Sequence, residues 1–312
     1  MSYDKYNRMK GHALLFGLNY AGTPNEFKGS INDAHNMAAY LQKSLGIPTE
    51  VITDDAGDAS APGATSMGMV RKLYELALRS HLESLDFVWI HYSGRGAAIV
   101  DTSGDEADGR DECLVPSDFV TGGLLPDDVI EVLFRSFNPN TRVIAVFDCA
   151  FSGTMGDLMY SWESQRKVAV ENIMSEVTAK ILTLSGCMDD QMTVQFGAST
   201  KDTQGALTAS LLLALNQGCC TDVFSVLASV RVILKNSGLP QVPKLCSSYN
   251  LAHDFTFIPA DILAAAKAAQ AAKDAAAAQA AKDAAAAQAA KDAAAQAAHD
   301  AAAAAKDEKH GK

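Results

Sequence analysis

The chain has 312 residues and a formal net charge of −11, and much of its hydrophobic content is alanine near the C-terminus. This length accommodates one large domain or two ordinary ones. The acidic balance excludes a typical nucleic-acid-binding protein, which carries a basic patch, and it disfavours adhesion to an acidic membrane surface.

Cysteine usage and the N-terminus indicate the compartment. The six cysteines are scattered and form no CxxC pairs with matching histidines, so no zinc site is predicted. The polar N-terminus lacks the apolar core of a signal peptide, and Ser2 stands where myristoylation requires glycine. No apolar run reaches membrane-spanning length. We therefore expect a soluble cytoplasmic protein with buried, reduced thiols and no membrane anchor.

Strand and helix patterns alternate along the first 258 residues. Apolar runs indicate buried strands at 11–18, 49–53, 85–92, 143–148 and 180–185. Helical spacing of apolar residues indicates helices at 32–45, 66–84, 127–134, from 205 onwards and at 223–234. This alternation predicts an α/β fold, with a mostly parallel sheet and helices on both faces.

The composition changes at about Pro259, where a nine-residue repeat of alanine, lysine, aspartate and glutamine begins. Alanine has the highest helix propensity, and the pairs Gln279–Asp283 and Gln288–Asp292 have the i,i+4 spacing that supports a helix. Successive repeats face opposite sides, so a coiled coil is not predicted. We predict a domain over 1–258 and a low-complexity tail over 259–312, helical or disordered. A tail without function is favoured over a partner-binding arm.

One predicted strand ends in the sequence Asp-Cys-Ala-Phe-Ser-Gly-Thr, from Asp148 to Thr154. Ligands and catalytic groups collect at the carboxyl ends of parallel strands. The turn resembles the nucleophile turn of the metacaspases, which are caspase-like cysteine peptidases, and which reads Asp-x-Cys-His-Ser-Gly-Thr. In this chain Ala150 stands at the nucleophile position and Phe151 at the following histidine position.

The neighbouring strand ends in His-Tyr-Ser-Gly-Arg-Gly, which resembles the Ser-Gly-His-Gly turn of the same family, with Arg95 at the position of the base. A cysteine peptidase needs a thiolate and a base within hydrogen-bond reach. Arginine stays protonated and cannot accept a proton, and alanine has no nucleophile, so both halves of the dyad are absent. Side chains alternate along a strand, so Cys149 is expected to point away from the cleft as a buried core thiol, and His91 to be a histidine at the edge of the core.

Further segments match the family in order and spacing between about residues 10 and 258. They are Gly29 to Asp33, Leu184 to Gln191, Gly205 to Thr208 and Pro240 to Pro243. The resemblance is greatest to the trypanosomatid branch, which includes inactive members. It implies a caspase-like fold for the whole of the predicted domain.

The resemblance also implies an acidic pocket for an arginine or lysine side chain, formed by Ser30, Asp33, Ser93 and Asp148. A pair of carboxylates suits a guanidinium, which binds carboxylate in a bidentate manner. The alternative is that Asp33 only begins a helix and Asp148 only forms a turn. We favour a retained pocket. A further hypothesis is that the Arg95 guanidinium occupies this pocket and mimics the arginine side chain of a substrate. The alternative is that Arg95 is exposed in a loop that diverged once catalysis was lost.

Calcium is the cofactor that the resemblance implies. The matching positions are Asp111, Asp127, Asp128 and Asp157. Calcium takes six to eight oxygen ligands, which clustered carboxylates and waters supply. The acidic run 101–112 has the length of an EF-hand loop, but Glu106 stands where that loop requires glycine, so an EF-hand is rejected. The alternative is a solvated acidic loop.

These observations predict a non-catalytic pseudopeptidase that binds peptides or proteins through arginine or lysine side chains, active metacaspases among them. Two alternatives stay open. One is an active calcium-dependent endopeptidase that cleaves after arginine or lysine with a non-standard nucleophile. The other is an inert scaffold whose tail binds the partner.

Overall fold

The computed structural model describes residues 9–55, 61–100, 110–186, 195–197, 202–219 and 221–310. The chain divides into two compact units, Met1–Leu263 and Ala264–Lys312. Among the helices of the described ranges, none is long and apolar enough to cross a membrane.

The strands carry most of the architecture of the first unit. In chain order they are β1 (Gly11–Gly17), β2 (Thr49–Thr53), β3 (Phe87–Ser93), β4 (Gly96–Val100), β5 (Arg110–Leu114), β6 (Leu125–Pro126), β7 (Arg142–Asp148), β8 (Tyr160–Ser164), β9 (Lys167–Val170), β10 (Lys180–Ser185), β11 (Gln195–Phe196), β12 (Gln204–Gly205) and β13 (Lys244–Ser247).

The helices are, in chain order, α1 (Ser30–Leu45), α2 (Ser66–Leu82), α3 (Phe119–Gly122), α4 (Asp127–Arg135), α5 (Ala206–Asn216), α6 (Val223–Asn236) and α7 (Ala260–His310). A short 3-10 helix at Ala61–Ala64 precedes α2. The α1 helix ends at Gly46, whose left-handed φ of 68° is typical of a helix C-cap.

The main sheet has eight strands within the described residues, in the order β2-β1-β3-β7-β10-β13-β8-β9. The first five of these are parallel. In one of two smaller sheets β5 pairs with both β4 and β6, and in the other β11 pairs with β12. The predicted α/β class and the mostly parallel sheet are confirmed, and each of the five predicted strands is present.

Successive side chains of β7 point to opposite faces of the sheet, and helices cover both faces. Ile144 and Val146 pack on one face with α1, α5 and α6. Val143, Ala145 and Phe147 pack on the opposite face with α2 and α4. A strand that is buried on both sides is apolar at every position, and this continuous pattern predicted β7 from the sequence.

The antiparallel end of the main sheet was not predicted. Strands β13, β8 and β9 join it through antiparallel pairs. All four residues of β9 are exposed, and the pairing of β8 with β9 is irregular between Trp162 and Ser164. Short strands of this kind lack the apolar run or regular alternation that identifies a strand.

The α1 helix begins two residues before the predicted start, because a residue distant in sequence caps it. The Asn19 Oδ1 atom accepts hydrogen bonds from the main-chain N–H groups of Ser30 at 3.0 Å and Ile31 at 3.3 Å. Gly29, at the N-cap position itself, makes no side-chain hydrogen bond. Asn19 therefore satisfies two of the N–H groups that a helix leaves unpaired at its start.

The tail is a continuous helix, α7, of 51 residues. Every side chain from Lys267 to Ala297 is exposed. The predicted hydrogen bonds are present, from Gln279 to Asp283 and from Gln288 to Asp292, each at 2.8 Å. An equivalent bond joins Gln270 to Asp274 at 2.7 Å.

Replacement of Asn19 tests the capping of α1. The Asn19→Ala variant leaves the N–H groups of Ser30 and Ile31 without this acceptor, so we expect its free energy of unfolding to fall by about 1–2 kcal/mol. Urea denaturation measures this loss. Asn236→Ala, a substitution of an exposed asparagine at the end of α6, is the control and should change stability by less than about 0.5 kcal/mol. Equal losses in the two variants would contradict the capping role.

Candidate functional site

The two turns that were singled out in the sequence lie side by side. Strands β3 and β7 are neighbours, with Ser93 opposite Asp148. The N–H of Gly94 donates to the carbonyl of Asp148 at 3.4 Å. A Cβ atom added to Gly96 would lie 1.8 Å from the carbonyl oxygen of Ala150, so only glycine allows this close approach. The positions corresponding to base and nucleophile thus belong to touching segments.

The two predicted pocket acids converge on Gly205. A Cβ atom at Gly205 would lie 2.2 Å from Oδ2 of Asp148 and 2.8 Å from Oδ2 of Asp33. The Gly205 N–H donates to both carboxylate oxygens of Asp33, at 3.0 and 2.9 Å. The Ser93 hydroxyl donates to Oδ2 of Asp33 at 2.7 Å. Three of the four predicted pocket residues therefore meet at one point, and all three are buried.

Asp148 is bound by the first turn of α5. Thr208 donates to its Oδ2 atom twice, from the main-chain N–H at 2.8 Å and from the hydroxyl at 2.7 Å. Negative charge is stabilised at a helix N-terminus, where N–H groups are unpaired. Thr208 lies in a segment that the resemblance matched, but its contact with Asp148 was not predicted.

Burial dominates the electrostatics of this pair. It raises the pKa of Asp148 to about 6, although hydrogen bonds from Thr208 and Leu207 oppose the shift. Burial, and then the charge of Asp148, raises the pKa of Asp33 well above its usual value. No lysine or arginine in the described residues makes an ion pair with either acid. The pair therefore lacks a cation that would favour ionisation of both carboxylates.

Ser30, the fourth predicted pocket residue, is also buried, and its hydroxyl accepts a hydrogen bond from the Gln195 side chain at 3.1 Å. The Gln195 carbonyl oxygen accepts from the N–H groups of Lys28 at 3.2 Å and Gly29 at 3.3 Å. The role of Gln195 was not predicted, because a single glutamine in a two-residue strand has no recognisable sequence pattern. Since the acids and Ser30 are buried together, a ligand reaches them only after part of the surrounding chain moves.

Arg95 lies against a different loop. Its guanidinium carbon is 4.1 Å from the centre of the Phe27 ring, within the range of a cation–π interaction. Its Nε atom donates to the Asn25 carbonyl at 2.7 Å, and its main-chain N–H donates to the Tyr20 hydroxyl at 2.9 Å. The hypothesis that this guanidinium occupies the acidic pair is therefore wrong.

Among the described residues around the nucleophile position, no thiol is accessible. Cys149 is fully buried on the face of Val143 and Phe147, as alternation along the strand predicted. Phe151 has a left-handed φ of 51°, a conformation that is costly for a bulky residue and marks a tight turn.

His91 is fully buried, and this burial lowers its pKa to about 3, so the imidazole is neutral at physiological pH. Its Nε2 atom lies 3.4 Å from the Thr208 hydroxyl, beside the acidic pair, and its Nδ1 atom makes no hydrogen bond. It lies on the sheet face opposite to Cys149, so the two side chains do not form a nucleophile–base pair.

The four predicted calcium ligands lie at three places in the chain. Asp111 is in β5, Asp127 and Asp128 begin α4, and Asp157 follows β7 in a left-handed turn with φ 48°. The charges of Asp127 and Asp111 contribute, after burial, to raising the pKa of Cys113 to about 12, which places both acids near this thiol.

Within the described ranges, no group of three or more His, Cys, Asp or Glu side chains is arranged to hold a metal ion. Most of the predicted acidic loop, at 101–109, and the matched positions 187–191 lie outside the described residues. The calcium site therefore stays a prediction.

Comparison with known proteins identifies relatives over much of the chain. A family model described as metacaspase, peptidase C14 domain, matches residues 11–159. Metacaspase-2 of Trypanosoma brucei brucei is 30% identical over 264 residues, which cover 78% of this chain and 75% of that protein. Metacaspase-1 of Scheffersomyces stipitis is 27% identical over 307 residues, which cover 81% of this chain and 75% of the relative. Metacaspase-1 of Saccharomyces cerevisiae is 33% identical over 180 residues, which are only 41% of that protein's length.

Solved structures agree on the fold. A crystal structure of a Geobacter sulfurreducens protein aligns with a TM-score of 0.54 and 25% identity, covering 77% of this chain and 93% of that protein. The structure of pro-sf-caspase-1 aligns with a TM-score of 0.50 and 14% identity, covering 79% and 94% of the respective chains. The predicted caspase-like fold is thus confirmed. Fungal and trypanosomal relatives both match, so assignment to the trypanosomatid branch stays a prediction. The chain belongs to the metacaspase family.

Proposed function

We propose that this protein is a catalytically silent metacaspase that binds arginine or lysine side chains of peptides and proteins at the Asp33–Asp148 pair. The observation that carries the proposal is the composition of the two touching turns. Ala150 offers no nucleophile, and Arg95 is bound to Phe27 and Asn25. The acids beside these turns are retained.

Hydrolysis of a peptide by a thiol needs a sulfur that attacks the carbonyl carbon and a base that takes its proton. The methyl group of Ala150 cannot attack, and the guanidinium of Arg95 cannot accept a proton at physiological pH. Cys149 and His91 do not replace them, because each is fully buried and they lie on opposite faces of the sheet.

Binding of a basic side chain requires acceptors and negative charge, and the pair supplies both. Two adjacent buried carboxylates are costly when ionised without a cation. An arriving guanidinium or ammonium group would compensate this cost, so a basic ligand has more to gain here than at an exposed acid. Partners with accessible arginine or lysine residues, including active members of the family, fit this chemistry.

Peptidase assays test the loss of catalysis. We expect the protein to show no hydrolysis of a fluorogenic arginyl peptide, with calcium or with chelator. The Arg95→His, Ala150→Cys, Phe151→His triple variant restores a thiol and a base beside the retained acids, so it should release the fluorophore measurably. Hydrolysis by the unmodified protein that a thiol blocker abolishes would contradict the proposal. A triple variant that is folded by circular dichroism yet inactive would contradict a usable arginine pocket.

The pH dependence of binding tests the role of the acids. A basic ligand requires ionised carboxylates, and burial raises the pKa of Asp148 to about 6. Affinity for a fluorescein-labelled arginyl peptide should therefore rise between pH 5 and 7.5, by up to about tenfold per pH unit below the pKa of each acid that must ionise. Fluorescence anisotropy measures the dissociation constant at each pH.

The matched controls for this experiment are two acid-to-amide substitutions. Asp148→Asn should weaken binding about tenfold or more, because it removes half of the carboxylate pair. Asp261→Asn makes the same charge change at an exposed position of α7 and should leave both the affinity and its pH dependence unchanged. An affinity that is constant from pH 5 to 7.5, or equal in the two variants, would exclude the pair as the binding site.

A further inference from the structure

A groove lies at the antiparallel end of the main sheet, between the β8–β9 hairpin, β13 and α6. It encloses a cavity of about 520 Å³. Three strands, β10, β13 and β8, lie between β7 and β9 in the main sheet, so the groove is remote from the acidic pair. Its apolar lining is formed by Trp162, Val168, Ala169 and Val242.

The outer wall of the groove is an edge strand. In the described part of the chain, β9 pairs with β8 and with no other strand. Val168 is 47% exposed and Val170 is 57% exposed. An edge strand presents unpaired main-chain N–H and C=O groups, and natural proteins usually protect such an edge with charges, proline or a covering segment. Here the edge carries exposed aliphatic side chains at alternate positions, a pattern that suits pairing with another extended chain.

Arg231 of α6 forms the opposite wall, and neutral acceptors hold it in place. Its Nε and Nη2 atoms donate to the Pro243 carbonyl at 3.2 and 2.8 Å, and its Nη1 atom donates to the Glu163 carbonyl at 2.6 Å. A guanidinium carries five N–H donors, so two stay available for a ligand.

The other two cations of the groove already have carboxylate partners. Lys167 pairs with the Glu163 carboxylate, and Lys244 pairs with that of Glu171 at 3.4 Å. Among the described residues, no carboxylate lies within ion-pair distance of Arg231. Arg231 is partly buried and held in position, and the Glu163 carboxylate, which pairs with Lys167, acts on it only as a charge beyond ion-pair distance.

We propose that this groove binds an extended segment of a partner protein in which acidic and aliphatic residues alternate. The segment lies along β9, an acidic side chain contacts Arg231, and aliphatic side chains contact Val168 and Val242. Charge complementarity selects an acidic segment, although the net charge of the whole chain is −11 and repels acidic proteins at long range. The exposed edge of β9 favours a polypeptide over a small anion. This site is independent of the function proposed above.

The test uses the full chain and a fluorescein-labelled peptide of alternating valine and glutamate flanked by glycine, with fluorescence anisotropy as the readout. Arg231→Gln should weaken binding at least fivefold, and Arg231→Lys should weaken it less. Arg71→Gln makes the same charge change at an exposed arginine of α2, away from the groove, and should alter the affinity by less than twofold. A peptide with glutamine in place of glutamate should bind the unmodified protein at least fivefold more weakly.

A second pair of variants tests the apolar contact of the peptide with Val168. Val168→Asp should weaken binding at least fivefold, whereas Val132→Asp, at a valine of α4 that is 56% exposed, should not. Hydrogen exchange of the β9 amides at 167–170 should slow when the peptide is bound. Absence of binding, equal affinities in Arg231→Gln and Arg71→Gln, equal binding of the glutamine peptide, or unchanged exchange in β9 would each overturn the proposal.

Discussion

The arrangement on which the site depends is a main-chain segment held between two buried carboxylates. Gly205 lies against both Asp33 and Asp148, and through these contacts it connects the start of α1, the end of β7 and the start of α5. Any larger residue at this point would collide with the Asp148 carboxylate. The acids are therefore part of the framework as well as candidate ligands. The presence of both acids in a chain with Arg95 and Ala150 at the dyad positions therefore has a structural reason, in addition to the proposed functional one.

The sequence also allowed the alternative that Asp33 only begins a helix and that Asp148 only forms a turn, and the contacts of the two acids bear on this alternative. Asp33 does lie in the first turn of a helix, and Asp148 does end a strand. However, an acid that faces solvent would be sufficient to begin a helix or to form a turn. Here both side chains turn inward to a common point, at the cost of raised pKa values. Such convergence of two acids is more than local structure requires.

The parallel strands and their helices could be predicted, because burial on both faces leaves continuous apolar runs such as that of β7. The convergence of Ser93, Asp33 and Asp148 was implied by the resemblance to the family. The antiparallel strands could not be predicted, because β9 is exposed and β8 pairs irregularly. The position of the Arg95 side chain could not be predicted either. It depends on Phe27 and Asn25, which lie in a loop about seventy residues away and carry no pattern of their own.

The regularity of the α7 helix has a consequence for how the tail can change. At 1.5 Å per residue, each nine-residue repeat adds about 13.5 Å of helix and turns its successor by half a revolution. The glutamine–aspartate hydrogen bonds lie within single repeats, so loss or gain of one unit leaves the others intact. A gain or loss of whole repeats would therefore lengthen or shorten the helix in fixed steps.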